Sequence, residues 1–138
     1  MEQVRIFIDT NVIIDYYTGR TGNKNAERIV QIGEDPRYRL CISVLTGINV
    51  LYVLNKFSNI IGLQTLSNQF MILPMNSEQW QYASSIRIDD QEDALQVACA
   101  IDNRCDIIVT RDRHLLNFNI DSPAVLTPES LIERVAIR

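Results

Sequence analysis

Val4-Arg5-Ile6-Phe7-Ile8-Asp9-Thr10-Asn11-Val12-Ile13 decides the fold. The first five residues are β-branched and aromatic, the composition of a short central strand. Thr10 or Asn11 can cap a following short helix that carries Val12, Ile13, Tyr16 and Tyr17 and ends near Gly19. An aspartate therefore stands where the strand stops. Two other stretches put acids at similar junctions: Asp89-Asp90-Gln91-Glu92-Asp93-Ala94 and Ile107-Ile108-Val109-Thr110-Arg111-Asp112. In an open parallel sheet the loops after the strands share one edge, and ligands bind there. Acids far apart in sequence can then meet in one pocket. Crowded carboxylates repel unless a cation sits between them, and oxygen-only ligands favour a hard ion such as Mg²⁺ or Mn²⁺. The pattern points to a metal-dependent hydrolase.

Strand and helix patterns alternate along the rest of the chain. Residues 23–32 predict a helix with Ala26, Ile29, Val30 and Ile32 as its apolar stripe, broken by Gly33-Glu34-Asp35-Pro36. A second strand is expected at 39–42, a heavily apolar helix at 43–56, and a further helix at 58–68 hairpinned against it. Residues 70–73 give a third strand, and Ser77 is the expected cap of a helix with Trp80, Ala83 and Ile86. Residues 89–102 predict a helix whose small residues allow close approach to a sheet. Residues 106–110 form a clear strand and 124–126 a last edge strand. Thr127-Pro128-Glu129 supplies cap, first-turn proline and first-turn acid for a closing helix with Leu131, Ile132 and Val135. The alternation predicts an α/β fold, a three-layer α/β/α sandwich with a mostly parallel central sheet, in one domain over 1–138.

Composition agrees. The 138 residues are 46% hydrophobic and 22% charged, which suits a globular core rather than disorder. No apolar run is long enough to cross a bilayer, and the start of the chain shows no export pattern. Cys41, Cys99 and Cys105 form no CxxC pair and are expected as buried free thiols, which points to a reducing cytoplasm. The net charge of −4 neither suggests nor excludes nucleic acid. The basic residues are mostly arginine, whose planar forks suit phosphate.

The motifs resemble those of the PIN domain family, the small metal-dependent ribonuclease fold of VapC-type toxins. Ile8-Asp9-Thr10-Asn11-Val12 resembles the first motif of that family. Glu92-Asp93-Ala94-Leu95 with Ala98 and Ala100 is similar to the third, and Val109-Thr110-Arg111-Asp112 with Leu115 to the fourth. The ending Leu126-Thr127-Pro128-Glu129 is also similar. The resemblance implies that Asp9, Asp93 and Asp112 are acidic ligands of Mg²⁺ or Mn²⁺, and that Thr110 hydrogen-bonds a carboxylate or a metal-bound water. It gives Asn11 a capping and positioning role. Arg111, Arg113 or His114 would bind the substrate backbone. It also implies an RNA substrate, a cognate antitoxin protein and a homodimer, with no membrane. One position departs. Where the family's second motif carries a glutamate, Ser43-Val44-Leu45-Thr46-Gly47-Ile48-Asn49 places Asn49, an amide without charge. Weaker metal binding or one-ion use follows, with Glu92 as a candidate substitute.

Ordinary readings stand beside these. Asp9 can cap a helix, Asp93 can favour a helix's positive end, and Asp112 can open a turn. Trp80, Tyr16, Tyr17 and Tyr52 suit core or partner packing as well as base stacking, and His114 suits an ordinary surface or core place. Two other functions compete with a nuclease that is a toxin. One is a weakened or inactive RNA- or protein-binding module, motivated by Asn49. The other is a phosphatase or receiver-like phosphotransfer domain, which needs a lysine near a later strand end; Lys24 and Lys56 are far from Val109 in sequence.

Overall fold

Val4–Ile8 lies in the middle of a five-stranded sheet. The computed structural model describes residues 2–20, 24–58 and 61–136. In chain order its elements are β1 (Val4–Ile8), α1 (Thr10–Thr18), α2 (Asn25–Ile32), β2 (Tyr38–Ser43), α3 (Val44–Lys56), α4 (Leu63–Gln69) and β3 (Met71–Leu73). They continue with α5 (Ser77–Ala83), α6 (Gln91–Asp102), β4 (Ile107–Val109), α7 (Arg113–Leu116), β5 (Ala124–Leu126) and α8 (Pro128–Ala136). The strand order is β3-β2-β1-β4-β5, and all four neighbouring pairs are parallel. The sheet expected to be mostly parallel is parallel throughout the described residues.

Alternation along β1 builds the layers, because successive side chains of a strand point to opposite faces. Ile6 and Ile8 enter one core with Ile13, Ile29, Val50, Leu54, Leu66 and Leu131, which places α1, α2, α3, α4 and α8 on that face. Phe7 enters the other with Cys41, Val97, Ala100, Ile108 and Leu115, beneath α6 and α7. Burying each large side chain contributes about 1.5–3 kcal/mol relative to exposure, so two filled faces hold the sheet between helices. All three cysteines are buried free thiols, as expected.

Strands β2 and β3 extend the sheet to one side of β1, whereas β4 and β5 extend it to the other. Such a reversal opens a crevice at the carboxyl ends of the two central strands. The register Ile8↔Val109 sets Asp9 beside Thr110 at that edge, and the Asp9 N–H donates to Val109 O at 3.0 Å.

Several expected boundaries move. Asp9, not Thr10 or Asn11, caps α1. Asn76, not Ser77, caps α5 by accepting from the Gln79 N–H. Where cap-forming residues are adjacent, the first to adopt the extended conformation takes the role, and sequence does not say which. Helix α6 starts at Gln91 on an Asp90 cap. The helix expected over 58–68 begins at Leu63, after an extended Gly62. Residues 59 and 60, like residue 23 of the helix expected over 23–32, lie outside the described residues. The short α7 was not expected; four residues carry no periodicity to read.

Candidate functional site

Asp9 leaves the sheet edge and turns into α1. Its Oδ1 accepts from the Thr10 N–H at 2.8 Å, and its Oδ2 accepts from Thr110 Oγ1 at 2.8 Å. Thr110 is fully buried, and its hydroxyl also accepts the Asp112 N–H at 2.9 Å. One hydroxyl therefore ties the first acid to the loop carrying the last. Asp112 in turn caps α7, accepting from the His114 N–H at 2.8 Å. Burial is the main cause that raises the Asp9 pKa; the Thr110 and Thr10 hydrogen bonds lower it, and the Asp112 charge raises it further.

Asp93 arrives from the other layer. It stands in the first turn of α6, with its N–H donating to the Asp90 cap at 3.1 Å. A buried polar knot fixes that helix to the sheet edge one turn further on. Ser43 Oγ donates to Gln96 Oε1 at 2.7 Å, Gln96 Nε2 donates to Thr46 Oγ1 at 2.9 Å, and the Thr46 N–H donates to Ser43 Oγ at 2.9 Å. Ser43 caps α3, so β2, α3 and α6 are locked together by groups that leave little unsatisfied.

The structure brings Asp9, Asp93 and Asp112 close enough to act on one another. The Asp93 pKa is pushed up to about 7, first by burial, then by the charges of Asp90 and Asp112, by a hydrogen bond with Asp112, and by the charge of Asp9. Burial therefore does most to hold the proton on Asp93, and the neighbouring carboxylates add to it. Among the described residues no three His, Cys, Asp or Glu side chains already stand at metal-ligating spacing. The donor chemistry nevertheless fits a hard divalent ion. All donors are oxygens, and a carboxyl that keeps its proton near neutrality marks a place where a cation is favoured.

The remaining expected residues fall around this centre. Asn49 on α3 donates from Nδ2 to Glu92 Oε1 at 2.8 Å, so the uncharged position holds a carboxylate from α6. Asn11 does not cap; its Oδ1 lies 3.4 Å from an Arg20 amino nitrogen. Arg111 points back into the fold, pairing through Nε with Asp15 Oδ2 at 3.6 Å and through Nη1 with Glu129 Oε1 at 3.0 Å. His114 and Arg113 are exposed. Trp80 is 69% exposed and Tyr52 is also exposed, so neither fills the core. Tyr16 and Tyr17 are half-buried and pack edge-on.

Sequence reasoning missed Asp90, Asp15, Arg20 and Gln96. Asp15 had a signal, a charge directly after the apolar run Val12-Ile13-Ile14; Gln96 had only its place on an otherwise buried helix face.

The chain is thus an α/β domain with an all-parallel sheet among the described residues and carboxylates near its switch point. Within that class it belongs to the PIN domain family, whose model matches residues 5–114. Ribonuclease VapC1 of Aquifex aeolicus (strain VF5) is 27% identical over 143 residues, covering 97% of each chain. A toxin–antitoxin complex from Klebsiella pneumoniae is similar at a TM-score of 0.67 and 22% identity, over 89% of this chain and 97% of that one. VapBC2 from Rickettsia felis, bound to a DNA fragment from their promoter, gives 0.66 and 14% over the same shares. A Pyrobaculum aerophilum protein gives 0.66 and 20% over 98% of this chain and 97% of that one. These three likenesses establish the fold.

Proposed function

We propose that this chain, as a single domain over 1–138, is a divalent-metal-dependent endoribonuclease acting as the toxin of a toxin–antitoxin pair. The observation that carries this reading is the approach of Asp9, Asp93 and Asp112 at the switch point, where burial and then the neighbouring charges push the Asp93 pKa up to about 7. Family membership and the likeness to a ribonuclease support it. Asp9, Asp93 and Asp112 would hold Mg²⁺ or Mn²⁺, directly or through water. When bound, the ion supplies a Lewis-acid contact to a phosphate oxygen and lowers the pKa of water. Thr110 holds Asp9 in one rotamer. Asp93 or Asp112 would accept the proton of the attacking water as the water oxygen bonds phosphorus and the bridging P–O bond breaks, the leaving oxygen taking a proton from solvent. Asn11 and Asn49 are positioning residues, the second through Glu92.

The partners are an RNA substrate, a cognate antitoxin and a second copy of the chain. Support comes from an open apolar groove of about 520 Å³ lined by Val44, Leu45, Ile48, Met75, Trp80 and Leu95. Exposed apolar surface of this kind marks protein contacts. Among the described residues no helix is long and apolar enough to cross a membrane, and we place the protein in the cytoplasm.

Asn49 favours a second reading, a catalytically weakened module that grips RNA or protein without cutting. The test is divalent-dependent RNA cleavage by the wild type, Asp9→Asn and Asn49→Glu. Cleavage lost in Asp9→Asn supports the enzyme. Metal-independent RNA binding without cutting supports the module.

A further inference from the structure

Asp15 is the single charged side chain among the buried described residues, only 4% exposed on the inward side of α1. An unpaired carboxylate there would be costly, so the fold must bring a cation to it. It brings two. Gly19 takes the left-handed conformation, φ 61°, and its N–H closes on Asp15 O at 2.9 Å. This turn folds Arg20 back so that its Nε donates to Asp15 Oδ1 at 2.7 Å. From the other side, Arg111 Nε lies 3.6 Å from Asp15 Oδ2.

Arg20 is thus held through Nε by Asp15, and Arg111 by the Asp15 charge and by an Nη1 hydrogen bond to Glu129, while each remains partly exposed, 40% for Arg20 and 34% for Arg111. An Arg20 amino nitrogen reaches Asn11, two residues beyond Asp9. Arg111 stands between Thr110 and Asp112. The other anion paired in this group, Glu129, is about half exposed. Guanidiniums already held in place, with part of each still reaching solvent, are preorganised for a phosphate, and less side-chain entropy is lost when one binds. The acidic centre beside it repels a polyanion, so a substrate chain crossing that centre needs such a cationic edge next to it.

We infer that Arg20 and Arg111, braced by Asp15, form a subsite for a backbone phosphate of the RNA strand adjacent to the one being cleaved. This rests on the nuclease reading of the acidic centre. Salt dependence of binding isolates it, because removing one phosphate interaction lowers the slope of log affinity against log salt by about 0.7 for a single strand. The probe is a fluorescent oligouridylate, titrated in Mg²⁺ buffer against the wild type, Arg20→Gln, Arg20→Lys, Arg111→Gln and Asp9→Asn. The expected result is a shallower slope and roughly tenfold weaker binding at low salt for each glutamine variant. Arg20→Lys should keep the slope but bind more weakly, since the charge stays and the fork is lost. Unchanged slopes in both glutamine variants, with lowered thermal stability alone, would overturn the subsite and leave the arginines as structural partners of Asp15. Cleavage by the wild type and Asp9→Asn, scored in the same samples, reports separately on the nuclease reading. A changed slope without any cutting sinks that reading and not the subsite.

Discussion

Replacing Asp93 by asparagine should make the metal-free protein more stable above neutral pH while removing its response to metal. In the folded chain the Asp93 carboxyl titrates near 7 against 3.8 for an ordinary aspartate. Between those values the folded state holds more of the proton than the unfolded state does. Stability is therefore fully present below 3.8, falls as pH rises, and has lost this contribution once pH passes about 7. For a fully buried group a shift of this size is worth about 4 kcal/mol. Asp93 is only half-buried, and solvent screening reduces the penalty to about 1 kcal/mol. Asparagine never carries the charge. In EDTA at about pH 8, Asp93→Asn should melt about 3–4 °C above the wild type, and the gap should close as pH falls towards 4. Added Mg²⁺ or Mn²⁺ should raise the wild-type melting temperature and leave the variant's unchanged. The assay is thermal unfolding followed by circular dichroism across pH, with and without metal. A variant that melts lower at every pH, or that gains as much from metal as the wild type, would refute the reasoning.

Thr110→Val keeps the shape but leaves Asp9 without its 2.8 Å donor and the Asp112 N–H without its acceptor. It should cost about 2–4 kcal/mol in urea unfolding, and a cost below about 1 kcal/mol would contradict the role of that hydroxyl. Gln96→Leu removes the link between α6 and the Ser43–Thr46 pair. We expect a loss of about 1–3 kcal/mol with weaker metal binding, and a neutral substitution counts against the knot. Mn²⁺ affinity followed by calorimetry should fall about tenfold per pH unit below about 7 and level off above it, because binding releases the Asp93 proton. An affinity indifferent to pH would remove Asp93 from the ligand set.

The strands were legible because their residues alternate and stop at turn signals: β1 matches the expected span, and the edge strand Ala124–Leu126 and the cap at Thr127 stand where read. Layering followed from strand–helix alternation. What was not legible is relational. A chain shows that Asp9, Thr10 and Asn11 can each cap a helix; the register of β1 against β4 decides for Asp9. Asp9, Asp93 and Asp112 were picked because each falls at an element end, and the switch-point topology brings them together. Trp80 was read as core or partner packing or as a base-stacking surface, and its exposure removes the core reading alone. The pairing of Asn49 with Glu92, the knot at Gln96, and the bracing of Arg20 and Arg111 by Asp15 join residues from separate elements. No local pattern encodes such pairs, since each depends on how helices from different layers face the sheet edge.

The most direct measurement is a crystal structure in Mn²⁺ with anomalous scattering to locate the ion. One Mn²⁺ contacting Asp9, with Asp93 and Asp112 bound to the same ion directly or through water, is the result this account requires. Manganese found elsewhere on the surface, with these three carboxylates sharing no ion, would contradict it.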